Sequence, residues 1–600
     1  MPLITAEQLK PAYDVIVVGS GAGGGQMAYT LTLEGVKVLM IEAGRNYVPE
    51  TETAMFQIPG QAPLRAAGTP EKPFGFYDAT VEGGWQIPGE PYTTASAERG
   101  RDFTWWRARM LGGRTNHWGR YAFRNGPYDF KPRARDGLGF DWPIDYADLA
   151  PYYDKVEMLI GVYGSNEGLE NTPESPEGVL LPPPKPRASE LLLRQRSRGP
   201  GVPVVAAHRA VLSRRLDADR IPAALHPGNP VAQRLVRAAM TGRAPCFWAT
   251  DCTRGCGIRA NYQSTTVHLP PAMASGNLDL VTNAMAREIE LSAAGRASGV
   301  IFIDKATGQE HRATGRVVVL AASSGESVRL LLNSKSAGFA HGLANEHGLV
   351  GKYLMDTVGS SVVGQIPALE NLPAHNEDGA GGAHVYSPWW LYREQRAGKL
   401  GFARGYHIEY GGGRRLPEAN TMAGLEWLTG GRYGRAFKQD ARRYYGSFLW
   451  FMGRGEMIPN DDSFCDLDPA VKDRWGIPVV RFHWKWSEHE TRQAAHMQRT
   501  FAELITAMGG RTRQPAIADG ARAIRTGGSI IHEVGGAIMG ADPAKSVTNA
   551  NCRTWSVKNL FLADGSPFPS NADKNPTLTI MALAWRTADH IVAELRKQNL

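Results

Sequence analysis

At 600 residues, 42% hydrophobic and 21% charged, the chain is a globular protein too long to fold around one core, so two or three domains are expected. No apolar run approaches the roughly eighteen residues that a membrane-crossing helix needs. The net charge is +8, with Arg and Lys spread along the chain apart from a mild cluster around Arg194 to Arg220; that balance argues against nucleic acid as the main partner and leaves an acidic protein or a membrane surface.

Met1 to Lys10 lacks the basic and apolar pattern of a signal segment, so an export signal of the polypeptide's own is not expected. Tyr13-Asp14-Val15-Ile16-Val17-Val18 is an apolar, β-branched run suited to a buried parallel strand. Gly19-Ser20-Gly21-Ala22-Gly23-Gly24 follows at once. In such a turn Gly19 permits the tight bend, Gly21 lets the backbone approach a pyrophosphate, and Gly24 lets the next helix, about Gly25 to Leu33, pack close on the strand. A second strand, Val36 to Ile41, ends in Glu42, an acid near the spacing expected for hydrogen bonds from an adenosine ribose. A glycine-rich turn alone is weak evidence among 68 glycines, but strand, turn, helix, strand and acid in this order predict a dinucleotide site.

From Gly164 to Pro230 the chain is rich in Pro, Arg, Ser and Glu with weak periodicity, and reads as a long excursion or linker. Next comes Cys246-x5-Cys252-x3-Cys256, while Cys465 and Cys552 stand alone. That layout disfavours paired disulfides and suits a soft metal site. Zinc would need a fourth ligand, His268 being the nearest imidazole in sequence. A three-iron cluster takes three thiolates, and three reduced cysteines in a loop are the structural alternative.

Strands fit Leu278 to Val281, Gly299 to Asp304 and Arg316 to Leu320. The last leads into a small-residue turn, Ala321 to Ser327, where Ala322 would bring the backbone close to a cofactor a second time, and then into a helix from about Ser327 to Leu332. From about Met355 to Pro515 the texture is aromatic and alternating, as in Tyr406-His407-Ile408-Glu409-Tyr410 and Val480-Arg481-Phe482-His483-Trp484, and reads as an antiparallel sheet domain. Its aromatics either stack on sugar rings or pack the sheet. Near the C-terminus, Asn559 to Ser566 reads as a strand ending in Asp564 and Gly565, and Asn575-Pro576-Thr577-Leu578 opens a final helix to about Arg596. That helix aims its partial positive charge at whatever lies before Thr577.

The order Gly19-x-Gly21-x-x-Gly24, then Gly112-Gly113-Arg114-Thr115-Asn116-His117, then His532 before Gly535-Gly536 and Met539-Gly540, then Ala563-Asp564-Gly565-Ser566 before Asn575-Pro576, resembles the glucose-methanol-choline (GMC) oxidoreductases over nearly the whole chain. The middle domain offers no comparable motif. The resemblance implies FAD and an α/β fold: a Rossmann-like FAD-binding domain of residues 10–150, 245–355 and 525–600, an excursion at 151–244, and an α+β second domain, the substrate-binding antiparallel sheet of 356–524. It implies His532 as catalytic base and Asn575 as the partner of the substrate hydroxyl. It also implies Gly112, Gly113, Asn116 and His117 beside the flavin ring, together with the turns at Ala322, Asp564, Gly565 and Thr577. A neutral imidazole suits removal of a hydroxyl proton as hydride leaves carbon, and a fixed amide orients that carbon.

Asn116-His117-Trp118 resembles the Thr-His-Trp of pyranose 2-oxidases, whose histidine is bonded to the flavin, which leaves covalent attachment through His117 open. The cysteine triplet is similar to one that holds a [3Fe-4S] cluster in the large subunits of bacterial flavin-dependent sugar dehydrogenases, with Phe247 and Gly257 where those enzymes often carry Cys and Pro. Leu111 to Phe130 looks most like the large subunits of bacterial glycoside 3-dehydrogenases. This implies oxidation of a C3 hydroxyl to a 3-keto glycoside, a small subunit carrying the export signal, a periplasmic location (cytoplasmic without that partner) and a cytochrome-type acceptor. An oxidase using oxygen, and a flavin electron-transfer protein without alcohol chemistry, are the competing readings.

Overall fold

The computed structural model describes residues 3–53, 83–248, 252, 255–372, 384–414 and 430–600. Strand β1 (Tyr13–Val18), helix α1 (Ala22–Leu33) and strand β2 (Val38–Ile41) form the predicted unit, the helix starting three residues earlier than expected. It starts there because Gly21 and Ala22 already turn over the end of β1, leaving no room for a longer loop. Every residue of β2 is buried and β1 is buried but for Asp14, which accounts for their unbroken apolar runs.

The stretch 151–244 is not a bare linker. It continues helix α2 (Tyr146–Ile160) and holds α3 (Ala188–Arg196), the short strand β3 (Val205–Ala206), α4 (Arg220–Leu225) and α5 (Pro230–Thr241). Val162, Tyr163, Ala210, Val211 and Leu212 are fully buried within it. Apart from Pro151, which lies inside α2, its prolines sit in the first turns of helices, as Pro222 and Pro230 do, or in connections, so they weaken the sequence periodicity without unfolding the segment.

Beyond it lie β4 (Leu278–Val281), β5 (Ala284–Leu291), β6 (Ala297–Asp304), β7 (Glu310–Leu320) and helix α6 (Ser324–Asn333). The second domain supplies β8 (Val358–Gln365), β9 (Val385–Ser387), β10 (Tyr406–Gly412), β11 (Phe448–Gly455), helix α7 (Glu488–Ala507) and β12 (Arg511–Thr512). Strand β13 (Leu560–Leu562) and helix α8 (Thr577–Arg596) close the chain.

The first sheet runs β4-β2-β1-β7-β6-β5, with β13 also on β7. Its β4, β2, β1, β7 and β13 pair in parallel, and β7, β6 and β5 antiparallel, because the long β7 serves two sets of neighbours along its length. The second sheet, β12-β8-β11-β10-β9-β3, is antiparallel throughout. Helix α7 packs on it through glycines: a Cβ at Gly364 would fall 2.7 Å from Ile505 and one at Gly453 2.3 Å from Met497. The run Pro478–His483, expected within this sheet, instead pairs with Phe464–Lys472 and Thr93–Thr94 in a separate three-stranded sheet. The parallel strands of the first sheet end together at Gly19, Glu42, Ala321 and Ala563, and that edge is where an open α/β sheet receives a ligand.

Candidate active site

A cavity of about 410 Å³ opens at this strand edge. Gly19, Gly21, Glu42, Gly113, His117, Ala322, Asp564, Gly565, Asn575, Thr577 and His532 all line it, so one space gathers residues separated by more than five hundred positions. Gly19 has φ +99°, and a Cβ there would meet the Ala321 carbonyl at 2.4 Å. A Cβ on Gly21 would instead project into open space, so this backbone is bare toward the cavity, as close approach of a pyrophosphate needs. Glu42 ties the turn down: its carboxylate accepts from Ser20 N–H (3.1 Å), Ser20 Oγ (2.5 Å) and Gly44 N–H (2.7 Å). Helix α8 presents its first residue, Thr577, to the same space.

Three predicted residues stand behind the wall. Gly24 is a packing glycine, its missing Cβ overlapping the Gly19 carbonyl at 2.0 Å. Gly112 bends the loop at φ +88°. Buried Asn116 donates to the Leu111 carbonyl at 2.8 Å and so braces the loop from inside. His117 does face the cavity. Trp106 Nε1 donates to its Nε2 at 2.8 Å, leaving buried Nδ1 with no hydrogen-bond partner among the described residues. Burial, with Arg120 and Arg114 nearby, holds this imidazole neutral, its pKa pushed down to about 3.

The chemistry gathers at His532 and Asn575. Asn575 Nδ2 lies 3.2 Å from His532 Nε2 and 3.2 Å from Glu409 Oε1. His532 Nδ1 lies 3.0 Å from Thr357 Oγ1. With Asn575 donating to Nε2, the ring proton belongs on Nδ1, where it donates to Thr357, and the Nε2 lone pair faces the amide and the cavity. Burial, reinforced by Arg454, pushes the His532 pKa down to about 3, so the imidazole is a neutral acceptor near pH 7. Buried Asn575 Oδ1 has no partner among the described residues.

Sequence reading missed the support behind this pair. Residues 407 and 409 alternate with core-facing Tyr406, Ile408 and Tyr410 on β10 and so share the face toward Asn575. Burial raises the Glu409 pKa, but Arg454 at 3.1 Å and the hydrogen bond from His407 outweigh it and hold the carboxyl well below its ordinary range. The other ring nitrogen of His407 meets the Asp573 carbonyl. Strand alternation marked this face, but the aromatics drew the attention; Tyr386, Trp389, Tyr406 and Tyr410 turn out to be buried packing residues. None of the described cavity-lining residues comes from 356–524. Asp356 accepts from Ile530 N–H (3.3 Å) and His532 N–H (2.9 Å). Between them Ile531 sits at φ +66°, a strained conformation for a β-branched residue, so Asp356 holds the backbone that aims His532.

Cys246, Cys252 and Cys256 line one small enclosed space with Val211, Trp248 and Ala260. Trp248 N–H approaches the Cys246 sulfur at 3.3 Å and Ala260 N–H the Cys256 sulfur at 3.3 Å. The three sulfurs are not gathered within 4.8 Å of one another, as thiolates around one zinc with bonds of about 2.3 Å would be. His268 is turned to Tyr262, its Nδ1 3.1 Å from the phenol oxygen. Among the described residues the tight acidic group lies elsewhere, at Asp129, Glu456 and Asp573. Lys574, Arg135 and Arg404 close that group as ion pairs.

Residues 221–358 match the N-terminal and 459–584 the C-terminal portion of the GMC oxidoreductase family. The 2-methyl-1,2-propanediol dehydrogenase of Mycolicibacterium austroafricanum is 29% identical over 96% of this chain and 95% of its own. The fructose dehydrogenase large subunit of Gluconobacter japonicus is 26% identical over 97% of this chain and 98% of its own. Among solved structures, a variant of the formate oxidase of Aspergillus oryzae RIB40 superposes with a TM-score of 0.63 at 14% identity, covering 98% of this chain and all of that one, a likeness of fold.

Proposed function

The chain belongs to the GMC oxidoreductase family, FAD-dependent oxidoreductases acting on CH–OH donors, and from that premise we propose that it oxidises a secondary hydroxyl of a sugar or glycoside, the C3 hydroxyl of a glycoside first. The observation that carries the reading is the neutral His532 paired with Asn575 at the cavity wall. Gly19, Gly21, Glu42, Ala322, Asp564 and Thr577 would hold FAD, which would supply the hydride acceptor. His532 Nε2 takes the hydroxyl proton, releasing it later to solvent. The Asn575 Nδ2–H that meets His532 Nε2 turns to the same hydroxyl oxygen when substrate binds, the other Nδ2–H stays on Glu409, and the unpartnered Oδ1 is open to a neighbouring hydroxyl of the sugar. Glu409 fixes the amide, so the carbon to be oxidised is oriented before reaction.

Cys246, Cys252 and Cys256 would hold a [3Fe-4S] cluster, which would supply one-electron transfer to an external acceptor. Support comes from the shared space and the N–H groups on the sulfurs. The name "large subunit" on a similar protein supports a small partner subunit; co-export with such a partner to the periplasm is part of the same proposal. His117, with a free nitrogen at the cavity wall, is the residue for any covalent flavin link.

Anaerobic mixing with methyl glucosides, disaccharides and simple diols tests the substrate class. Bleaching of the flavin by glycosides, with a 3-keto product by NMR, is the expected result; bleaching by diols alone overturns it. Iron and the paramagnetic spectrum of the air-oxidised protein test the cluster. Flavin without iron, and peroxide formed in step with product, would establish the oxidase reading.

A further inference from the structure

Residues 187–243 hold eleven arginines, no lysine and three acids (Glu190, Asp217 and Asp219), a net charge of +8 that equals the charge of the whole chain. The remainder of the protein is balanced. The excess lies on one part of the fold, beside the cysteine loop. Cys246 N–H donates to the Leu212 carbonyl at 2.8 Å, and Arg214 and Arg215, two and three residues on, are exposed. Ser213 anchors the same turn to the Pro182 carbonyl at 2.6 Å. Exposed Arg220 reaches the neighbouring Gly178 carbonyl at 2.6 Å, and exposed Arg237, in the second half of α5, pairs with Asp219 at 2.9 Å, which ties α5 to the start of α4 a few residues beyond this turn. Phe247, next to Cys246, is a large apolar side chain 40% exposed on this side of the loop.

The inner side of the loop meets the flavin cavity. Buried Arg120 donates to the Cys252 carbonyl at 2.5 Å and, at 3.1 Å each, to the carbonyls of Thr115 and Asn116, just before cavity-lining His117. Buried Arg209 donates at 2.7 Å to the carbonyl of Gly119, another residue of the cavity wall. The cysteines therefore lie between the cavity and the arginine surface.

We propose that this surface, Arg214, Arg215, Arg220 and Arg237 around Phe247, is the docking face for an acidic one-electron carrier protein. Charge complementarity picks the carrier's sign. Arginines around an exposed aromatic are the composition of a protein interface, whose charges steer the encounter and set its orientation. The electron route rests on the iron–sulfur reading above; the docking does not. Each alcohol oxidised to a ketone yields two electrons, so two carriers dock in turn and each is reduced by one electron, while the two protons go to solvent.

The test uses the holoenzyme with plastocyanin, an acidic copper protein, and cytochrome c, a basic haem protein, as probes. The rate constant for plastocyanin reduction by the glycoside-reduced enzyme should fall about tenfold or more between low and physiological salt, and by a similar factor in R214E/R215E at low salt. R214Q/R215Q should show a smaller loss in the same direction. Cytochrome c reduction should gain in R214E/R215E, and flavin content and thermal midpoint should stay those of the wild type. Salt-insensitive plastocyanin reduction, or the same rate in both variants, overturns the docking face. So does loss of binding to phosphatidylglycerol vesicles in the variants with plastocyanin reduction unchanged, which would assign the arginines to a membrane. If the protein holds flavin but no iron, the cluster reading fails alone: salt-sensitive plastocyanin binding, lost in R214E/R215E, would still uphold the docking face, and its absence would overturn that too.

Discussion

His532, the proposed proton acceptor, is neutral because of where it sits. Burial pushes the His532 pKa down to about 3, so its base form persists through the mildly acidic range. Turnover at saturating substrate should stay flat from pH 7 to about pH 5; an acid limb near 6.5 would show an exposed, ordinary imidazole instead. His532→Ala should lower kcat by roughly 10²–10⁴-fold while flavin content is unchanged. Thr357 acts one step back, accepting from Nδ1 and keeping the lone pair on Nε2. Thr357→Val should cost about tenfold in kcat with little change in KM, since about 1.4 kcal/mol of tautomer preference is lost at a group that does not touch substrate. Equal losses in kcat and in substrate affinity would place Thr357 in binding.

At the scale of elements, the glycine turn was legible because it is local. Strand, turn and helix follow one another within twenty residues, and each glycine has a steric reason that the sequence already implies. Gly24 is the clearest: its missing Cβ occupies the Gly19 carbonyl at 2.0 Å. Gly24→Val should separate α1 from β1 and yield protein with little or no flavin absorbance and a lowered thermal midpoint, at a cost of about 1–3 kcal/mol or more. Strand β10 was equally legible as a strand, yet its functional face was not. His407 and Glu409 alternate with Tyr406, Ile408 and Tyr410, and nothing in the alternation says which face meets Asn575. The segment 151–244 misled for the opposite reason: its prolines and arginines suppress periodicity, while tertiary burial of Val162, Tyr163, Val211 and Leu212 fixes it all the same.

Across the whole molecule, distant segments are pinned by buried charge. Lys574, beside Asn575, pairs with Asp129 at 3.0 Å and Asp573 at 2.5 Å, joining the first third of the chain to its end. Lys574→Met would leave two buried carboxylates without their cation and should cost about 3–5 kcal/mol in thermal or denaturant unfolding, with Asn575 displaced and kcat reduced. Four histidines, His117, His268, His384 and His532, are each held neutral with pKa pushed down to about 3 by burial. The unfolded chain binds protons at these sites below about 6.5 while the folded chain does not, so their contribution is intact above 6.5 and is lost as pH falls toward 3. Stability measured by denaturant titration should drop between pH 6.5 and 4 by up to about 1.4 kcal/mol per pH unit for each histidine, and a stability independent of pH in that window would refute their burial. By itself the sequence determined the dinucleotide unit and the antiparallel second sheet, because each is written in local pattern, and motif order singled out His532, Asn575 and the three cysteines as candidates. Only the tertiary structure decided what surrounds them, Thr357, Asp356, Glu409 and Arg454 at the base and the arginines at the cysteine loop, because contacts between residues far apart in the chain leave no mark in local spacing.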